Sequence, residues 1–277
     1  MATPHDNRPI GVFDSGIGGI TVLKALRARL PHEDLVYLGD TARLPYGTKS
    51  AETVTAYATQ ATRHLMTHDI KMAVIACNTA ASVALGPLSE ALKPLPVMGV
   101  VGPGAQAGVK ASRSGHIAVL ATEATVRGGA YVRAIHALDA SAHVTQQPCG
   151  LFVTLAEEGW VSGDVAEAAA RRYLAPLFRG KDKPDTIVLG CTHFPVLAKV
   201  IAKVVGRGVR LVDSAETTAR AVEAALHDKG LAAHRRGKGK VRFLATDSAE
   251  RFARVGGIFF GEEIKPKQVE LVDLLPG

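Results

Sequence analysis

A mostly parallel α/β fold is what this sequence predicts, and three observations carry the prediction. Short runs rich in β-formers alternate along the chain with amphipathic or alanine-rich stretches, the succession of strand and helix that builds a parallel sheet. The strand-like runs are apolar throughout rather than alternating, as expected when helices cover both faces. One segment, Val74-Ile75-Ala76-Cys77-Asn78-Thr79, is echoed by Val188-Leu189-Gly190-Cys191-Thr192-His193, about one ordinary domain further along.

The first strand, Ile10–Asp14, runs into a glycine-rich turn, Ser15-Gly16-Ile17-Gly18-Gly19. Ile20, Leu23, Leu26 and Leu30 then recur at near-helical spacing until Pro31 stops the helix. Further strands are expected over Leu35–Leu38, Met72–Ala76, Val97–Val101, Ile117–Ala121, Thr186–Gly190, Val209–Val212 and Val241–Ala245. Helices are expected over Glu52–Met66, Thr79–Leu92, Ala124–Ala137, Val165–Phe178 and Ser214–Lys229. The Gly and Pro content of Gly99–Pro103 suits a boundary between two units.

The 277 residues, 47% hydrophobic and 21% charged with 28 Gly and 14 Pro, exclude wholesale disorder and a collagen-like chain. No apolar run approaches the roughly 20 residues that span a bilayer, and the opening Met1–Pro9 lacks a basic region followed by an apolar one. A cytoplasmic protein without membrane contact is expected. Three Cys are too few for a disulfide framework and suit a reducing compartment, so each is examined as chemistry. The net charge of +7 is partly concentrated in His234-Arg235-Arg236-Gly237-Lys238-Gly239-Lys240. This cluster has no interleaved aromatics and its glycines suit a flexible, solvated loop, so a nucleic-acid partner is not expected.

Cys77 and Cys191 each follow a complete apolar strand and precede polar residues at the start of a helix, where thiolate is stabilised. That is also the end of an open α/β sheet at which ligands bind. Cys149, between Pro148 and Gly150, is equally readable as a small buried hydrophobe. Zinc is the competing use of Cys77, Cys191 and His193, but there is no CxxC knuckle and Cys191-Thr192-His193 is not a structural-zinc spacing. The turn after the first strand fits neither GxGxxG nor a phosphate loop. It offers an acid, Asp14, a hydroxyl, Ser15, and backbone amides to a carboxylate, or Asp14 is simply a helix cap.

Four motifs in order, Asp14-Ser15-Gly16-Ile17-Gly18-Gly19, Gly39-Asp40 through Pro45-Tyr46-Gly47, Ala76-Cys77-Asn78-Thr79-Ala80 and Gly190-Cys191-Thr192-His193-Phe194-Pro195, together resemble the glutamate racemases. The resemblance extends over nearly the whole chain. It implies cofactor-independent interconversion of L- and D-glutamate, which supplies D-glutamate for peptidoglycan, with no metal and with a homodimer as the candidate assembly. It also implies two pseudo-symmetric α/β domains facing each other across a cleft, one formed by residues 1–98 and 211–277 and the other by residues 99–210.

By the same resemblance, Cys77 works on the D-glutamate face assisted by Asp14, and Cys191 on the L-glutamate face assisted by His193. Glu157 matches a family acid near the second cysteine. Asp14, Ser15, Tyr46, Gly47, Asn78, Thr79, Thr122, Thr125, Thr192 and His193 are expected to bind substrate. Taken without the resemblance, Thr79 and Thr125 are equally helix caps and Tyr46-Gly47 a turn. Gly150 and Thr154 stand where the family usually has proline, which bears on the stiffness of the chain near Glu157. The alternatives kept open are an aspartate racemase and a regulatory protein- or nucleic-acid-binding role for the basic surface.

Overall fold

The computed structural model describes residues 6–274. Residues 1–5, part of the opening judged for a leader, and 275–277, at the end of the expected first unit, lie outside the described residues. Among the described residues there are ten strands: β1 (Ile10–Asp14), β2 (Leu35–Gly39), β3 (Met72–Ile75), β4 (Val97–Gly99), β5 (His116–Ala121), β6 (His143–Pro148), β7 (Thr186–Gly190), β8 (Arg210–Asp213), β9 (Val241–Ala245) and β10 (Val269–Leu271). The helices are α1 (Ile20–Arg29), α2 (Ala51–Met66), α3 (Asn78–Val83), α4 (Leu85–Ala91), α5 (Val101–Ala111), α6 (Glu123–Gly128), α7 (Ala130–His136), α8 (Gly150–Glu157), α9 (Asp164–Leu174), α10 (Ala198–Val205), α11 (Ser214–Asp228) and α12 (Ala249–Phe260).

The strands form two wholly parallel sheets, ordered β10-β9-β2-β1-β3-β4 and β6-β5-β7-β8. Four strands of the first sheet, β2-β1-β3-β4, therefore repeat in chain order and position as β6-β5-β7-β8. The echo seen in the sequence is this repeat: Cys77 follows β3 and Cys191 follows β7, equivalent strands of the two sheets. Sheet membership changes between β4 and β5, and again between β8 and β9. Strand β8 runs across the expected boundary at residue 210 and pairs entirely within the second sheet.

Helices cover the sheets and join them. α2 packs on β1 and β2, and α5 packs on β7 and β8, while α11 leaves β8 and packs on α1 beside the first sheet. Side-chain caps set the starts of two of these helices. Ser50 accepts from the Thr53 amide at 3.2 Å at the head of α2, and Asp213 accepts from the Ala215 amide at 2.7 Å at the head of α11.

Several elements depart from the expectation for physical reasons. The helix expected over Thr79–Leu92 breaks at Ala84, because Pro87 has no N–H for the carbonyl of Val83 and its ring crowds it. The helix expected over Ala124–Ala137 breaks at Gly129, whose φ of 62° is left-handed. The strand expected over Val97–Val101 ends at Gly99, and Val101 opens α5. Strand β6, His-Val-Thr-Gln-Gln-Pro, lies at a sheet edge, where burial does not demand an apolar run. The 234–240 segment is docked rather than free. Arg235 places Nη1 2.9 Å from both oxygens of Asp34, and the Gly239 amide donates to Pro31 O at 2.8 Å. A Cβ on Gly239 would stand 1.8 Å from Glu33 O, so this glycine permits close approach. Among the described residues no helix is long and apolar enough to cross a membrane.

Glycines at the carboxyl end of the first sheet are tightly enclosed. A Cβ on Gly39 would lie 2.1 Å from Gly16 O, a backbone atom that cannot swing aside, whereas one on Gly102, exposed in α5, would meet nothing within 4 Å. Gly39→Ala is expected to cost about 1–3 kcal/mol or more from overpacking, and Gly102→Ala to stabilise by about 0.5–1 kcal/mol from helix propensity. Chemical denaturation of the two variants checks both signs, and a harmless Gly39→Ala would disprove the close approach.

Candidate active site

The carboxyl ends of both sheets open onto one cavity of about 450 Å³. Ser15, Tyr46, Gly47, Cys77, Asn78 and Thr79 line it from the first sheet. Thr122, Glu157, Cys191, Thr192 and His193 line it from the second. Asp14 and Thr125 lie behind this lining, buried.

Cys77 sits at the head of α3, where its Sγ accepts from the Ala80 amide at 3.4 Å and donates to Ser15 Oγ at 3.2 Å. Burial first, and the nearby charge of Asp14 second, push this thiol up to about 12, against the lowering effect of its hydrogen bonds to Ser15 and Ala80. Asp14 ends β1. Its Oδ2 accepts from the Gly16 amide at 3.0 Å, and its buried Oδ1 has no hydrogen-bond partner among the described residues. Burial raises its pKa, opposed by the charge of His193.

Cys191 follows β7, with its Sγ 3.8 Å from Nδ1 of His193. The other ring nitrogen of His193 lies 3.0 Å from Glu157 Oε1, and Glu157 Oε2 accepts from Arg251 Nη2 at 2.7 Å. Burial alone would discharge the imidazole. The Cys191 thiol and the Glu157 carboxylate outweigh it and push His193 up to about 10. Burial likewise opposes ionisation of Glu157, but His193 and Arg251 hold its carboxyl below the usual range. The result is a chain of alternating charge, Arg251, Glu157 and His193, ending at a thiol. Glu157, in the last helical turn of α8, is held by two partners despite Gly150 and Thr154 in that helix.

A third group of contacts joins the walls. The hydroxyl of Thr79 lies 3.0 Å from that of Thr122 and 3.4 Å from that of Thr125, and those two are 3.0 Å apart. Thr122 also caps α6 by accepting from the Thr125 amide. Asn78 Oδ1 accepts from Tyr131 Oη at 2.7 Å, and its buried Nδ2 has no hydrogen-bond partner among the described residues. Thr192 places its Oγ1 3.5 Å from His193 Nδ1. The Tyr46 hydroxyl turns away and donates to Asp40 Oδ2 at 2.5 Å, so Tyr46 meets the cavity with the rest of the residue.

The glycine-rich turn is also where two side chains of the site approach the backbone closely. A Cβ on Gly18 would stand 2.5 Å from His193 Nδ1, and one on Gly19 2.5 Å from Asp14 Cβ. These glycines make room for two candidate catalytic side chains. Arg251 and Tyr131 were not legible as site residues. Arg251 comes from α12, remote in the chain from Glu157, with no local motif to mark it.

Two parallel sheets of like strand order, with a thiol at the equivalent strand end of each, define an α/β enzyme of internally repeated design. The chain belongs to the Asp/Glu/Hydantoin racemase family, whose pattern matches residues 20–222. It is 46% identical to a glutamate racemase of Geobacter metallireducens over 257 residues, 93% of this chain and 94% of that one. A solved glutamate racemase from Bacillus anthracis is similar with a TM-score of 0.92 at 36% identity, covering 98% of this chain and 99% of the other. Another from Francisella tularensis, in complex with D-glutamate, has a TM-score of 0.88 at 38% identity, covering 97% and 98%.

The raised pKa of His193 has a consequence for stability. A folded value near 10 against an ordinary 6.5 gives stabilisation fully present below pH 6.5 and lost as pH rises through 10. The gap in thermal stability between the parent and His193→Asn is therefore expected to narrow across that interval. A gap that stays constant there would show that the imidazolium contributes nothing.

Proposed function

We propose that the chain interconverts L- and D-glutamate by proton transfer at the α-carbon between Cys77 and Cys191, without a cofactor, and supplies D-glutamate for peptidoglycan synthesis. The observation that carries this reading is the position of the two thiols, at equivalent strand ends of two sheets that line one cavity. Inverting a stereocentre through a planar carbanion-like state needs a base on one face and an acid on the other. The thiolate of one cysteine takes the α-proton as the C–H bond breaks. The thiol of the other delivers its proton to the opposite face and is left as thiolate.

The surroundings of the two thiols differ. His193 Nδ1, 3.8 Å from Cys191 Sγ, is placed as a counter-charge when a thiolate forms there, while burial and Asp14 raise the pKa of Cys77. In this reading Cys191 takes the proton from L-glutamate, and the reverse direction needs the roles exchanged. The free Nδ2 of Asn78 and the hydroxyls of Thr79 and Thr122 supply donors to the substrate carboxylates. Donors of this kind stabilise charge that develops on the α-carboxylate as the proton leaves.

Incubation of chelator-dialysed protein with L-glutamate, without pyridoxal phosphate, followed by chiral analysis, is expected to yield D-glutamate. A strict need for metal or pyridoxal phosphate would overturn the two-thiol reading. One methylene is worth only about 1–3 kcal/mol in a pocket, so slow turnover of aspartate is compatible with it. Aspartate turning over faster than glutamate would make the chain an aspartate racemase.

Cys77→Ala and Cys191→Ala are each expected to abolish racemisation. In deuterated water, residual α-exchange should favour L-glutamate in Cys77→Ala and D-glutamate in Cys191→Ala, because the remaining base takes the α-proton, exchanges it with solvent and returns a deuteron to its own face. The opposite preference reverses the facial assignment, and full racemisation by either folded variant removes that cysteine from the chemistry. Asp14→Asn and His193→Asn are expected to fold and to lose about 10²–10⁴ in rate. Normal turnover in both would reduce these residues to scaffold.

A further inference from the structure

His116 and His143 open two neighbouring strands and face each other directly in the parallel register of β5 and β6. Registered neighbours project to the same face of a sheet, and here the two imidazole rings stack with centroids 4.0 Å apart. Asp182, in the connection between α9 and β7, places one carboxylate oxygen 2.9 Å from each Nδ1. The three ligand atoms lie within 4.8 Å of one another. Thr145, two residues after His143 and on the same face, sets its hydroxyl 3.0 Å from His116 Nε2.

We propose that this cluster is a binding site for a divalent ion of the zinc class, with Nδ1 of His116, Nδ1 of His143 and the carboxylate of Asp182 as the protein ligands and water completing the shell. Two neutral imidazoles and one carboxylate form a donor set for borderline transition ions rather than for calcium or magnesium. In the tautomer with Nδ1–H donating to Asp182, His116 needs no ion. In the other, Nε2 donates to Thr145, the Nδ1 lone pair faces a carboxylate oxygen, and a cation between the two atoms satisfies both. The Thr145 hydrogen bond then becomes the outer contact that orients a metal-bound imidazole.

The site lies at the amino end of the second sheet. Five residue steps of about 3.3 Å along β5, about 16 Å in all, separate it from the cavity at the carboxyl end. A bound ion would fasten the connection carrying Asp182 to the sheet edge and stabilise the fold by mass action, without entering the reaction. No sequence spacing announces this site, since its ligands come from three separate segments and none is a cysteine.

The test is calorimetric titration of Zn²⁺ into the tag-free, chelator-treated full chain, with thermal denaturation with and without Zn²⁺. Co²⁺ is run in parallel, because thiolate ligation adds an intense near-ultraviolet band that nitrogen and oxygen ligands do not. One ion per chain is expected, with no thiolate band and a rise in Tm. His143→Ala and Asp182→Asn, both at exposed positions, are expected to weaken binding by about tenfold or more, to remove the rise in Tm and to leave racemisation unchanged. Binding that survives in both variants, or that carries the thiolate band, would overturn the proposal. So would the absence of binding together with losses of Tm that are the same with and without chelator, which would make the cluster a hydrogen-bonded clasp.

Discussion

The turn after β1 has no room for a Cβ at the two positions where it meets the candidate catalytic groups. Gly18 lies against the imidazole of His193, which belongs to the second sheet, and Gly19 lies against the Cβ of Asp14, at the end of the central strand of the first. A third glycine, Gly39 at the end of the neighbouring strand, lets the backbone of Gly16 come down onto the sheet. This close approach lets the turn, Asp14 and His193 pack together beside the cavity. With larger side chains in the turn, His193 would be pushed away from Asp14, and its contact with Glu157 would have to be rebuilt.

Electrostatics then divides two chemically identical groups. On one wall a buried thiol shares its surroundings with a buried carboxylate, and both are driven toward their neutral forms by lost hydration. On the other wall burial is outweighed, because Arg251, Glu157 and His193 follow one another with alternating charge up to Cys191. Removing one member of such a chain strands the next as an unpaired buried charge, which costs far more than an exposed pair contributes. The repeated strand order makes the thiol positions equivalent, and their different partners make their surroundings unequal.

The same parallel architecture gives the second sheet two polar ends with separate chemistry. At the carboxyl end the strands stop just before Cys191 and Thr122, where helices and turns begin and donors face the cavity. At the amino end the strands start with His116 and His143, in register and stacked. Parallel pairing aligns all strand starts on one edge and all strand ends on the other, so residues distant in the chain gather at each edge.

Tyr46, Gly47, Thr122 and Glu157 were expected only from the resemblance to the racemase motifs; what the amino-acid sequence by itself determined was most of the strands, several of the helices, the two cysteines at strand ends and the glycine-rich turn. These signals are local: apolar runs, a Cys before polar residues, glycines in a turn. The edge strand β6 escaped because a strand at a sheet edge need not be apolar, and the breaks at Ala84 and Gly129 escaped because the apolar pattern continues across them. Tertiary structure alone decided that Arg251 holds Glu157, that Tyr131 occupies Asn78 and that Tyr46 turns its hydroxyl to Asp40. It also decided that Gly18 and Gly19 accommodate the side chains of His193 and Asp14. Each of these depends on which atom of a distant segment arrives within hydrogen-bonding or van der Waals reach, and that is fixed by the packing of the two sheets rather than by any pattern along the chain.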